Sequence, residues 1–176
     1  GGSCFPKDTK GLVATGKKFK IDLSIVNSVI KSNENRKKSL LERIPKILGK
    51  VKGKSITFLG VTFKPNTDDM RDSNSLIMIP YLSKKGARIK YYDPTGEKKE
   101  FKKIKNVEYA FSVNQACMNA DLIVLHTEWD EFKAIEFDTL KTKKTCKVYD
   151  LRNLFDYKEM KKKKIKYYSV GRPNLN

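Results

Sequence analysis

Hydrophobic and polar positions divide this chain near residue 50. Before that point Ile21, Ile25, Val29, Leu40, Leu41, Ile44, Ile47 and Leu48 recur at roughly helical spacing, which predicts one long helix over 20–49. Asp22 and Ser24 suit its first turns and Gly49 its end, and Pro45 predicts a kink or break in its last part. From Lys31 to Lys38 the pattern is polar on every side, so the apolar face is interrupted. Residues 1–18 read as a loop followed by a short helix. After residue 50 short apolar runs take over. They predict strands at 55–63, 88–92, 121–127, 147–151 and 165–170. Helical spacing predicts helices at 74–84 and 112–119, and one or two short helices within 131–140. Strands alternating with helices argue for a doubly wound, Rossmann-like parallel sheet of the α/β class, preceded by a long linking helix.

An open parallel sheet binds ligands beyond the carboxyl ends of its strands. That rule brings Lys64 and Arg71 (after the first strand) and Arg152 (after the fourth) to one sheet edge as a candidate phosphate or pyrophosphate site. The local alternative is that Arg71 pairs with its neighbours Asp68, Asp69 or Asp72. A dinucleotide site at the first turn needs Gly-x-Gly-x-x-Gly, whereas this chain has Gly60-Val61-Thr62-Phe63-Lys64-Pro65. The domain is therefore expected to bind a different phosphate ligand, with Asp93 serving as a turn former before Pro94. His126, the single histidine, follows the third strand without a Ser or Cys partner beside it and reads as packing, as does Trp129.

The opening Gly1-Gly2-Ser3-Cys4-Phe5-Pro6-Lys7-Asp8 gathers a thiol, a cation and a carboxylate behind two glycines. A nearby cation favours the thiolate, the nucleophilic form, and glycines let backbone approach a substrate closely. The bland reading of Cys4 is a small buried hydrophobe, the reading that suits Cys117 and Cys146. Three cysteines without metal-like spacing fit reduced thiols in a cytoplasm better than a disulfide framework.

Composition changes the picture in one respect. The net charge is +18, which raises a basic nucleic-acid-binding module as a rival. Of the 38 basic residues, however, only 6 are Arg, the residue that reads phosphates and base edges in bidentate fashion. Apart from the run 161–164, the lysines are spread along the chain, as a solvated surface would have them. At 39% hydrophobic the chain can build a core, and no apolar stretch is long enough to span a bilayer. No signal peptide is visible, so a cytoplasmic protein with no specific nucleic acid and no membrane partner is expected.

Several segments in order resemble the UDP-glucose/GDP-mannose dehydrogenase family. Gly1–Asp8 is similar to the family's catalytic cysteine segment. Phe63-Lys64-Pro65-Asn66-Thr67-Asp68-Asp69-Met70-Arg71-Asp72-Ser73 is similar to a second signature. Tyr92-Asp93-Pro94, Asn119-Ala120-Asp121 through Glu128-Trp129, and Asp150-Leu151-Arg152-Asn153 follow in the family's order. The resemblance implies a two-step oxidation of UDP-glucose to UDP-glucuronate, using NAD and one water. Residues 1–50 would be the end of a central domain, carrying the cysteine loop and a long homodimer helix, and 51–176 the UDP-sugar domain. Cys4 would trap the aldehyde as a thiohemiacetal that becomes a thioester, Asp8 would serve the hydrolytic water, and Lys7 would lie near thiolate and cofactor. Gly1, Phe63, Lys64 and Arg152 would contact the nucleotide sugar. Cys4, Lys7 and Arg71 would lie towards NAD. The family's N-terminal NAD-binding domain would precede these residues, so the chain alone is expected to be inactive. UDP-N-acetyl-hexosamine and GDP-mannose are the alternative substrates that the resemblance leaves open.

Overall fold

Helix begins at Cys4, where a loop was expected. Residues 4–175, the side chain of Cys4 excepted, are described by a computed structural model. In it, α1 (Cys4–Lys18) precedes α2 (Ser24–Leu48), which starts later than the 20–49 pattern suggests. Pro6 lies in the first turn of α1, where a backbone N–H has no helical partner to lose, so proline does not oppose the helix. The chain breaks at 19–23. Lys20 takes a positive φ of 58°, and the Ile21 N–H donates to the Gly16 carbonyl at 2.9 Å. A Cβ at Gly16 would stand 2.7 Å from Leu23 Cδ1 and 3.1 Å from the Ile21 carbonyl oxygen, so a larger residue there would make the Leu23 side chain and the turn give way. Pro45 does not end α2, which continues to Leu48.

The chain divides into two units, the first ending at Arg43 and the second starting at Ile44. The second unit is the α/β domain. Its elements are β1 (Ser55–Leu59), α3 (Ser75–Lys84), β2 (Arg88–Tyr92), β3 (Val107–Tyr109), α4 (Val113–Cys117), β4 (Leu122–Leu125), α5 (Asp130–Lys133), a 3-10 turn (Phe137–Thr139), β5 (Lys147–Asp150), α6 (Tyr157–Lys162) and β6 (Lys166–Ser169). The six strands are all parallel in the order β3-β2-β1-β4-β5-β6. This is the doubly wound, Rossmann-like sheet that the alternation of runs predicts.

Position in the sheet explains the strand patterns. The central strands β1 and β4 are buried at every residue, whereas β2, nearer the edge, alternates. Ile89 and Tyr91 point into the core, and Tyr91 meets the Phe101 ring edge-on at 5.2 Å. Leu59, Ile123, Leu125, Val148, Phe132, Met160 and Tyr167 close one continuous core cluster, each large side chain contributing about 1.5–3 kcal/mol by burial. The registers Leu59↔Tyr92, Leu59↔Leu125, Leu125↔Asp150 and Asp150↔Ser169 align the strand ends on one edge. The winding reverses between β1 and β4, and the loops after these two strands define the place where such folds take ligands.

Candidate functional site

The loop after β1 is fixed before any ligand arrives. Gly60 adopts φ +74°, and a Cβ there would lie 2.5 Å from Thr127 Cβ, so the loops after β1 and β4 meet at a contact only glycine permits. Thr127 Oγ1 donates to the Thr62 carbonyl at 2.7 Å. Ser73 and Ser75 hydroxyls both donate to the Val61 carbonyl, at 2.7 and 2.6 Å.

Asp93 does more than form a turn. It does accept from the Thr95 N–H at 3.1 Å, as an Asx turn requires. Yet its fully buried carboxylate also accepts from the Val61 and Thr62 N–H groups, at 2.8 and 3.3 Å, and faces the buried Lys98 ammonium at 3.6 Å. In a dinucleotide-binding turn, amides at this place cradle the pyrophosphate. Here a carboxylate of the chain itself occupies them. The first turn therefore does not fit a dinucleotide, as its missing glycines predict.

The three cations named from strand ends separate into two groups. Arg152 follows β5, and its Nε–H donates to the His126 carbonyl at 2.7 Å while Nη2 reaches the Phe63 carbonyl at 3.4 Å. Glu128 Oε2 lies 2.9 Å from the same Nε. Arg152 thus joins the ends of β1, β4 and β5, with its side chain 34% exposed. Lys64, next to Phe63, is exposed, with its carbonyl held by the Thr62 hydroxyl at 3.1 Å. Its ammonium has no hydrogen-bond or ion-pair partner among the described residues. Arg71 follows the local alternative. Its Nε and Nη2 grip both Asp69 carboxylate oxygens, at 3.0 and 2.9 Å. Arg71 lines a separate cleft of about 570 Å³ with Asp68, Asp69, Thr95 and residues 97–100.

Asp150 is the anchor that sequence reasoning missed. Buried at the end of β5, it accepts from the backbone N–H groups of Arg152 (2.8 Å), Leu154 (2.7 Å) and Phe155 (3.3 Å), and from the Tyr167 hydroxyl (2.7 Å). An Asp at the strand end with Asn153 three residues on was the available signal, because such residues fold the next turn onto their own side chains. His126 is a packing residue. Burial, followed by the charge of Arg152, pushes its pKa down to about 3, so the ring stays neutral. Since Thr127 spends its hydroxyl proton on Thr62, His126 Nδ1 must donate to Thr127 Oγ1 at 3.1 Å. The thiols of Cys117 and Cys146 are pushed up by burial to about 12 and about 11, as inert core cysteines should be.

In the first unit, α1 sets positions 4, 7 and 8 on one helical face, since residues three and four apart are neighbours. Lys7 and Asp8 are exposed. Gly1 and the Cys4 side chain lie outside the described residues. Among the described residues no group of metal-ligating side chains could hold an ion, and no helix is long and apolar enough to cross a membrane.

Residues 57–157 match the UDP binding domain of the UDP-glucose/GDP-mannose dehydrogenase family. The UDP-glucose 6-dehydrogenase of Rhizobium meliloti is 42% identical over 176 residues, covering 99% of this chain and 40% of that protein. The UDP-glucose 6-dehydrogenase TuaD of Bacillus subtilis is 37% identical over 175 residues, covering 98% and 38%. Among solved structures, a UDP-glucose dehydrogenase from Pyrobaculum islandicum superposes with a TM-score of 0.73 at 27% identity, over 85% of this chain and 34% of that one. The NDP-N-acetyl-D-galactosaminuronic acid dehydrogenase of Methanosarcina mazei gives 0.79 at 25% identity, over 98% and 38%. The chain thus spans about 40% of the length of the curated relatives it matches.

Proposed function

The chain belongs to the UDP-glucose/GDP-mannose dehydrogenase family, and from that premise we propose that it forms the nucleotide-sugar half and the thiol segment of an enzyme oxidising UDP-glucose to UDP-glucuronate. The observation that carries the proposal is the meeting of Arg152 with Phe63, beside the exposed Lys64, at the switch point of the sheet. A diphosphate needs cations there because Asp93 already occupies the loop amides. Lys64 supplies a mobile point charge and Arg152 a planar fork. Phe63 and Gly1 complete the sugar contacts.

Cys4 is the nucleophile of this reading. Its thiolate adds to the C6 aldehyde, and the resulting thiohemiacetal is oxidised to a thioester. Asp8 takes a proton from the water that hydrolyses the thioester, and Lys7 stabilises the thiolate. NAD supplies the chemistry of accepting a hydride at each oxidation, and Cys4, Lys7 and Arg71 are its contacts in this chain. The turn sealed by Asp93 does not fit a dinucleotide, so most of the cofactor's binding surface lies outside residues 44–176, and the 176-residue chain alone is inactive. Residues 1–50 act as the end of a central domain. The exposed Ile21, Ile25 and Val29 on and before α2 give a homodimer an apolar face to cover. The enzyme works in the cytoplasm.

Calorimetric titration of UDP into the chain, beside Lys64→Ala and Arg152→Ala, tests the half-site. Saturable binding weakened by both substitutions, about tenfold by Lys64→Ala and more by Arg152→Ala, is the expected result. Binding indifferent to both would refute the half-site, and NAD-dependent turnover by the chain alone would refute its inactivity. Competition by UDP-N-acetyl-hexosamine or GDP-mannose in the same titration ranks the alternative sugars.

A further inference from the structure

Arg152 is held more elaborately than a solvent-facing cation requires. A guanidinium carries five N–H donors in a planar fork. The Nε–H points at the His126 carbonyl, and Nη2 gives one hydrogen to the Phe63 carbonyl. Asp150 fixes the backbone beneath through the Arg152 N–H. Nη1 has no partner among the described residues. The Nη1–Nη2 edge, which engages a phosphate in bidentate fashion, is therefore the open end of the side chain.

Glu128 sits on the opposite, Nε side. Its Oε2 is shielded from solvent and accepts no aligned hydrogen bond, yet it lies 2.9 Å from Arg152 Nε. Among the described residues, a shielded carboxylate oxygen in that position has the guanidinium charge as its compensation. The two groups consequently hold each other in place. Carbonyls by themselves are neutral acceptors, weaker than an ionic partner. A diphosphate arriving at the open edge would compete with them for the fork. A carboxylate on the Nε side resists that pull without occupying the edge the phosphate needs.

We infer that Glu128 is a positioning residue, which fixes the Arg152 fork with its Nη1–Nη2 edge presented to a diphosphate. The inference rests on the UDP half-site proposed above. It concerns the geometry of Arg152 and not a contact between Glu128 and the ligand.

The test is a double-mutant cycle read by UDP titration, with the 176-residue chain as wild type and Glu128→Gln, Arg152→Ala and the double variant beside it. Glu128→Gln keeps the shape and removes the charge. It is expected to weaken UDP about tenfold, while in the Arg152→Ala background it changes affinity less than twofold. Glu128→Asp, which keeps the charge on a shorter stem, recovers part of the loss. It also serves as the probe if the Gln variant does not fold. UDP binding that depends on Arg152 but is unchanged by Glu128→Gln would overturn this inference alone. So would equal losses from Glu128→Gln with and without Arg152. Absence of UDP binding by the wild-type chain would overturn the half-site itself, and this inference with it.

Discussion

The two edges of the sheet carry similar charges and hold them differently. At the carboxyl edge, Asp93, Asp150 and Arg152 are bonded mainly to backbone N–H and C=O groups, Asp93 and Arg152 to loops distant in sequence and Asp150 to the turn that follows it. At the amino edge, charges meet one another. Asp121 binds Lys143 at 2.7 Å and Lys54 at 3.3 Å, and the two lysines remain about 40% exposed. Beside them Lys143, Lys144, Lys163, Lys164 and Lys166 border a groove of about 290 Å³. These lysines come from two segments that β5 and β6 bring together, with Lys147 and Lys166 in register. Backbone anchoring fixes a geometry that a ligand can use, because the partners cannot rotate away. Side-chain pairing at an exposed edge leaves most of the charge solvated. The difference teaches that the +18 net charge is a poor guide to where this protein binds. What marks the candidate site is a small set of charges held largely by main-chain atoms.

The sharpest way to break this contrast is Asp93→Ala. The substitution removes the acceptor for two loop amides and leaves Lys98 buried with no counter-charge. Breaking a buried pair from one side costs about 3–5 kcal/mol. Urea unfolding should show that loss as a lower midpoint with an unchanged slope. A cost below about 1 kcal/mol would mean that the loop after β1 does not depend on this anchor.

Asp121→Asn probes the amino edge, where a smaller effect of about 1–2 kcal/mol at neutral pH is expected, since the lysine partners are partly solvated. The pH dependence gives a second reading. Burial alone would raise the Asp121 pKa, but hydrogen bonds from Lys143, the Ser55 N–H and Lys54 outweigh it and hold the group below its ordinary 3.8. A carboxylate with a depressed folded-state pKa contributes stability above its unfolded value, and loses it as pH falls through the folded one. The gap in stability between wild type and Asp121→Asn should therefore be full at pH 6 and shrink below about pH 4. A gap that is constant between pH 6 and pH 3 would show that the carboxylate's charge contributes nothing.

Much of the fold was legible because the sheet is regular. The run at 88–92 coincides with β2, since alternation and flanking Gly86 and Pro94 bound it clearly. The run at 55–63 overshoots β1 by four residues, because Gly60 turns the backbone to positive φ while apolar side chains continue. β3 went unread: three residues, Val107–Tyr109, among lysines carry no period. α6 was hidden in the lysine-rich segment and is marked only by its Asp156 cap, which accepts from the Lys158 and Glu159 N–H groups. The strand-end rule named Lys64, Arg71 and Arg152 together, whereas the structure gives Arg71 to Asp69, a pair that short sequence separation made foreseeable. The anchors Asp93 and Glu128 were not foreseeable. Their partners lie 24 to 32 residues away and become neighbours only when the strands are in register.

The smallest expected effect sharpens the comparison from the other side. Lys163 and Lys166 border the amino-edge groove, and neither ammonium has an ion-pair partner among the described residues. The double variant Lys163→Gln, Lys166→Gln keeps the aliphatic stems and removes two charges from a crowded basic surface. Stability should change by less than about 0.5 kcal/mol. At low ionic strength the change should be a slight gain, because like charges repel over a longer screening distance, and at high salt it should vanish. UDP affinity should stay within about twofold, because these residues border the edge opposite to Lys64 and Arg152, the proposed phosphate cations. Thermal melting at two salt concentrations, with the UDP titration repeated on the same variant, checks all three. If instead the double variant lost more than about 1 kcal/mol, these lysines would have to be anchored as firmly as Arg152. The distinction between a solvated edge and a fixed one would then fail where it makes its weakest demand.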